Sequence, residues 1–392
     1  MGWVFDVADT AIFNLAKVPM LTSMLGSAEY ARRGPGVEAQ IQAVFLVGWS
    51  IGGLAFGILA DRWGRTRTLV LTVLLYCVCT GLTALCRTPE QVALARFLTA
   101  LGIGGEWAAG AALVAETFSD GMRPTVSSFL QTAAAFGPML AALANLVLAG
   151  QPWQWLFLLG IAPALLCTLA RLGVHDPRPV TQDAKSPLKE LWQDREQRKR
   201  ACLAMIVGAV GIAGAGTASF WQPNLVKEVS AGLGKAVFDA RTSHVTMLSH
   251  LGTLAGVFVV PWLCRQFGRK PTLAGFYLAT PLVVLVALKI GNTYELLELL
   301  LPLVNFFAIG ISAAFVLYFP ELFPSATRAT GAGLAYNVGR ILSVPMPLAT
   351  AWAISHFGGS VASGVILSGS IYLIGLCAIP FLPETKDKPL PA

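Results

Sequence analysis

Six ionisable side chains fall inside apolar stretches long enough to cross a bilayer: Asp6, Asp9, Lys17, Arg96, Glu106 and Arg340. Each costs about 3 kcal/mol at a bilayer centre on insertion scales, so they must face one another or a polar interior rather than lipid. Three acids and three bases so placed suit proton exchange and the holding of a charged solute. Arg340 is the lone charge of "GLAYNVGRILSVPMPLATAW" (333–352), about 18 Å along a helix from Arg328. Tyr336 and Asn337, one turn earlier, share its face. A guanidinium matches a carboxylate through two parallel hydrogen bonds, so Arg340 reads as the anchor of an organic anion, with a protein acid as the alternative partner.

The elements that position these groups follow from composition. Apolar residues make up 55% of the 392-residue chain and charged residues 12%, against roughly 25% charge in soluble domains. The chain is therefore expected to be an integral membrane protein. Apolar runs recur near 1–25, 39–60, 68–86, 91–117, 125–149, 153–173, 201–229, 243–264, 271–290, 295–319, 325–350 and 357–382, which predicts twelve transmembrane helices. Most of the 28 Lys and Arg residues fall in alternate connections, which places both termini in the cytoplasm of a multi-pass plasma (inner) membrane protein. The net charge of +7 reflects this asymmetry, and no basic stripe with interleaved aromatics points to nucleic acid. The seven Cys have no metal or redox spacing and read as small apolar side chains. No cleavable signal precedes the first run, and a natural start upstream of Met1 is left open.

An internal repeat organises the spans. "ADRWGRTRT" (60–68) returns as "CRQFGRKPT" (264–272), and "ETFSDGMR" (116–123) returns as "ELFPSATR" (321–328) at nearly the same separation. Two related halves follow: a six-helix bundle over 1–173, a polar basic linker over 174–200, and a second six-helix bundle over 201–392. Such duplication belongs to secondary transporters, whose halves rock about a central site. Within the linker, Leu188, Leu191 and Trp192 could share one face of a short helix on the inner leaflet.

On these motifs the chain resembles the major facilitator superfamily over essentially its full length, which implies an all-α membrane protein of two pseudo-symmetric bundles. "GILADRWGRTR" is similar to that family's signature between helices 2 and 3, and the two E-x-F-x-x-x-x-R segments are similar to its helix-end motif. Asp61, Arg62, Arg65, Glu116 and Arg123 in the first copy, and Arg269, Glu321 and Arg328 in the second, are placed to pair when the inner ends close, a latch that biases one state. Enforcing membrane topology is the plainer alternative for the arginines.

"FDVADTAIF" around Asp9 resembles a helix 1 segment of proton-coupled sugar porters and organic-acid symporters, and "RFLTALGIGGEWAAG" from Arg96 resembles their helix 4. The resemblance implies a proton-sensitive Asp9–Arg96 pair. Burial disfavours a carboxylate's charge and a guanidinium favours it, so separating the two couples protonation to shape. A permanent salt bridge is the alternative, and the pairing is expected to need helix 1 to end near Pro19. Glu106, between Gly102 and Gly110, reads as a second proton site, a substrate contact or a packed acid. Asp6 lies one turn from Asp9. Lys17 could neutralise these acids, attract an anion or, preferably, snorkel outward.

"FWQPNL" (220–225) should break at Pro223 and set Gln222 and Asn224 in a gate or cavity wall, with packing as the equal alternative. His244 and His250 read as packing residues. The segment "YFPELFPSATRATGAGLAYNVGR" resembles metabolite, sialic-acid and aromatic-acid proton symporters. The expectation is a monomeric secondary transporter, not an enzyme, that carries a small organic anion with protons by alternating access and needs no cofactor beyond the coupling ion. A sugar or polyol carrier, and a membrane sensor or enzyme on a transporter body, are the alternatives.

Overall fold

A chain crossing lipid must satisfy its own backbone N–H and C=O groups, and the described residues do so as helices, with no strand among them. The structure, a computed structural model, describes residues 2–117, 131–161, 187–324, 327–388 and 391. Within these it does not describe the side chains of 61, 62, 65, 107–117, 187 and 329. The first half holds α1 (Gly2–Leu25), α2 (Ser27–Trp63), α3 (Arg65–Thr83), α4 (Pro89–Thr117), α5 (Ala133–Val147) and α6 (154–161). After α7 (Pro187–Gln193) come α8 (Arg195–Phe220), α9 (Gln222–Val229), α10 (Lys235–Phe267), α11 (Arg269–Ile290) and α12 (Tyr294–Ala308). The chain closes with α13 (Ser312–Glu321), α14 (Arg328–Leu342), α15 (Pro345–His356), α16 (Val361–Gly369) and α17 (Tyr372–Ala378).

Seven helical stretches among the described residues are long and apolar enough to cross a membrane. Neither α1 nor α4 is in that set, although both are long. Between them they carry five of the six intramembrane charges; in α1, Asp6, Asp9 and Lys17 dilute the hydropathy, and α4 is described with its side chains only as far as Glu106. Several expected spans are interrupted. The run 201–229 turns at Trp221, where α8 stops and α9 starts with Pro223 near its first residue, as a proline without an N–H prefers. The runs 295–319, 325–350 and 357–382 also divide, the second of them again at a proline, Pro345. Two boundaries also differ from expectation: α2 starts at Ser27 rather than 39, and α8 at Arg195 within the segment read as linker. In α7, Leu191 is buried while Leu188 and Trp192 are exposed.

The internal repeat reappears as geometry. Gly64 ends α2 with φ 101° and Gly268 ends α10 with φ 102°, a left-handed turn that a side chain would strain. These are equivalent positions of the two repeated loops. Each half also contains a crossing of backbone on backbone. A Cβ at Gly52 would overlap the Leu101 carbonyl of α4 and one at Gly104 the Trp49 carbonyl of α2, while one at Gly252 would overlap the Pro302 carbonyl and one at Gly256 would meet Gly310. Small residues thus weld α2 to α4 and α10 to the α12–α13 segment, where packing rather than hydrophobicity joins helices in lipid.

Candidate functional site

The described part of the first half buries several acids and joins one of them, Asp9, to an arginine. Arg96 of α4 is fully buried and donates through Nη1 to Asp9 Oδ2 of α1 at 2.6 Å, while Thr80 of α3 donates to Asp9 Oδ1 at 2.5 Å. The Phe45 and Phe13 rings cover the guanidinium carbon at 4.4 and 4.9 Å. Arg96 Nε and Nη2 have no hydrogen-bond partner among the described residues. Asp6 and Glu106 are also buried, and Cys77 of α3 lies within electrostatic range of Asp6, Asp9 and Glu106. The expected Asp9–Arg96 pair therefore forms, and α1 continues through Pro19 to Leu25 without preventing it. Gly102, before Glu106, lets α3 approach at Thr72 and Tyr76, so the close contact expected around this acid is present on that side.

Arg340 closes this arrangement from the other half. Gly339 packs against Gly208 and Ala209 of α8, which brings α14 close and turns Arg340 toward the first half. Its guanidinium carbon sits 4.1 Å from the Trp49 ring of α2 and 5.3 Å from the Tyr336 ring. The buried indole Nε1 of Trp49 has no hydrogen-bond partner among the described residues. Asn337 donates to the Gly333 carbonyl at 2.9 Å, so its amide nitrogen is engaged by its own helix. Trp49 was not anticipated as part of the site. In "VGWSIGG" it reads like any packed aromatic, and nothing in its own stretch announces a cation opposite.

Lys17 requires a correction. Rather than snorkelling, it is fully buried and pairs with Glu38 of α2 at 2.7 Å. The Tyr30 hydroxyl donates to Glu38 Oε1, and Asn224 Nδ2 donates to Oε2 at 3.0 Å and Oε1 at 3.2 Å. The ammonium lies 3.4 Å above the Phe220 ring and 4.8 Å from Trp221. The charges are matched and desolvated, so Lys17 has nowhere to reach. Asn224 accordingly binds Glu38 instead of lining a cavity wall, and Gln222 is buried and donates to Ser249 at 2.7 Å. Glu38 escaped the sequence reading because "RRGPGVE" resembles a loop, whereas α2 runs through it. His250 is buried with its ring nitrogen 2.9 Å from the Thr246 carbonyl, and His244 is exposed.

Of the charges expected to form a latch, those of the second copy are described, and the pair that forms among them lies within one half. Arg269 grips Glu321 through Nη2 at 2.8 Å and Nε at 3.0 Å, and Thr385 donates to the same carboxylate at 2.5 Å. Glu384, also unanticipated, accepts from the backbone N–H groups of Arg269 and Lys270. Arg328 departs from expectation among the described residues, where it donates to the Phe323 and Pro391 carbonyls at 3.3 and 3.0 Å and to no acid. Its helix start aims it along the chain's own tail. Arg123 and the side chains of Asp61, Arg62, Arg65 and Glu116 lie outside the described residues.

Comparison with known proteins agrees with this architecture. The family model of the Major Facilitator Superfamily matches residues 8–347. A probable 4-methylmuconolactone transporter of Cupriavidus pinatubonensis is 31% identical over 98% of this chain and 89% of its own length. A cis,cis-muconate transport protein of Acinetobacter baylyi is 27% identical over 95% of this chain and 92% of its own. The crystal structure of a D-xylose-proton symporter superposes with a TM-score of 0.76 at 20% identity, covering 99% of this chain and 97% of that one.

Proposed function

The chain belongs to the Major Facilitator Superfamily, whose members here are transporters and not enzymes, and from that premise we propose that it carries a small organic anion in symport with protons. One observation carries the reading: Arg340 of the second half stands on Trp49 of the first, a cation on an aromatic wall at the contact between halves. That arrangement suits a planar organic acid, whose carboxylate pairs with the guanidinium while its carbon skeleton packs against the aromatic wall. Methylmuconolactone and muconate, the cargoes named for two relatives, are of this chemical kind. The buried acids Asp6, Asp9 and Glu106 supply the proton side. A proton on Asp9 frees Arg96 from its counter-charge, so loading and reorientation become linked. In this reading both termini lie in the cytoplasm, and the halves rock about Arg340.

Uptake into proteoliposomes under an imposed pH gradient, with a panel of carboxylates and sugars, tests it. Carboxylates are expected to accumulate and sugars not to compete. Arg340→Lys should weaken carboxylate affinity by about tenfold or more, since an ammonium cannot make the bidentate contact. Asp9→Asn should lose gradient-driven accumulation while retaining exchange. Full affinity in Arg340→Lys for every carboxylate transported would refute the anchor.

A further inference from the structure

Two ion pairs at the end of the molecule where α1 finishes are built in the same way, one in each half. In the first half Lys17 pairs with Glu38, and the carboxylate accepts at 3.0 and 3.2 Å from Asn224 of the second half. In the second half Lys235 pairs with Asp239 at 2.5 Å, and Asp239 Oδ2 accepts at 3.0 Å from the Gly150 N–H of the first half. Asn145, also of the first half, donates to the Asp239 carbonyl at 3.1 Å and to Ser243 Oγ at 2.9 Å. Lys235 reaches back to the Gln151 carbonyl at 2.6 Å. The likeness is not inherited from the duplication, because the repeat-equivalents of Lys17 and Glu38 are Trp221 and Thr242.

The bonds are divided in a way that matters. Each carboxylate has its ammonium within its own half, and what joins the halves is mainly amide N–H groups. When the halves part, neither carboxylate is left uncompensated in a low-dielectric place, the event that makes a broken buried pair costly. A closure built from cross-half ion pairs would not release so readily. A cleft of about 750 Å³ is lined in part by Lys235 of the second pair and by Lys227, whose ammonium lies 3.7 Å from the Tyr30 ring beside the first, so water has a route toward the separated amides.

We propose that Asn224 on Glu38 and Asn145 on the Asp239–Ser243 turn are the two arms of a reciprocal clasp that holds this end shut and must open in each transport cycle. The proposal rests on the rocking of two halves and not on the nature of the cargo. Its failure is therefore distinguishable from failure of the anion reading.

Spin labels at the exposed positions Ala28 and Leu233, on opposite halves, report the opening of this end by pulsed distance measurement. Asn224→Ala or Asn145→Ala removes one arm and leaves both ion pairs in place. Each should enlarge the long-distance population, and the double variant should enlarge it by about tenfold or more. Unchanged distances in the double variant overturn the clasp. A second measurement acts after folding. In a background without native cysteines, Asn145→Cys with Ser243→Cys should cross-link under mild oxidant, stop transport of whatever solute the parent carries, and recover with reductant. Absence of a cross-link, or full transport by the linked protein, overturns it equally.

Discussion

Helix α1 carries two buried ion pairs, and they differ in who shares them. Among the described contacts, Asp9–Arg96 is enclosed by its own half, with Thr80, Phe13 and Phe45 around it. Lys17–Glu38 is likewise formed within that half, but Asn224, Phe220 and Trp221 of the other half rest on it. A pair sealed in one body makes no bond across the boundary, so a change in its charge acts on the other body only through the shape of its own. A pair touched from across reports and resists their separation. Position along one helix thus separates a group suited to titration from a group suited to gating.

The largest expected break in this comparison is Arg96→Met. It leaves the Asp9 carboxylate with a single hydroxyl partner among the described contacts, and removal of one member of a buried pair typically costs about 3–5 kcal/mol. Thermal unfolding in a fixed detergent should show it as the least stable variant of the set, with Asp9→Asn in the same chain restoring much of the loss. Lys17→Met should cost less, about 1–3 kcal/mol, because Glu38 keeps Tyr30 and Asn224 as donors. An equal loss in the two variants would erase the distinction drawn here. The smallest effect is at the opposite end of the bundle. Glu384 is pushed up by burial but held below the ordinary carboxylate value by the N–H groups of Lys386, Arg269, Lys270 and Thr385. A carboxylate with a depressed folded pKa stabilises above its unfolded value and loses that contribution as pH falls through the folded one. Hydrogen exchange at residues 385–388 should therefore hold steady near neutrality and, after correction for intrinsic rates, increase at pH below about 4.

Much of this molecule was legible in its sequence, for reasons that can be named. Span length, the repeated loop motif and the rarity of intramembrane charge are strong signals because lipid tolerates few alternatives. They located α1–α4, α8, α10 and α11, and singled out Asp9, Arg96 and Arg340. What they could not tell is which acid meets which base, since that depends on helix rotation and tilt. Snorkelling reads as the slightly better of three alternatives for Lys17 because its partner is hidden in a stretch with loop composition. There Pro35 and two glycines favour a break locally, and burial of Glu38 against Lys17 and Tyr30 outweighs them. Trp49 gave no warning at all, since an aromatic in an apolar helix carries no sign of what will lie on its face.

The glycine crossings have a mechanical implication. Where α2 meets α4, and α10 meets the α12–α13 segment, main chain lies directly on main chain. No long side chain is available there to bend or slide. Such joints resist sliding within a half, so the protein is expected to deform as two stiff levers that turn at the boundary between them.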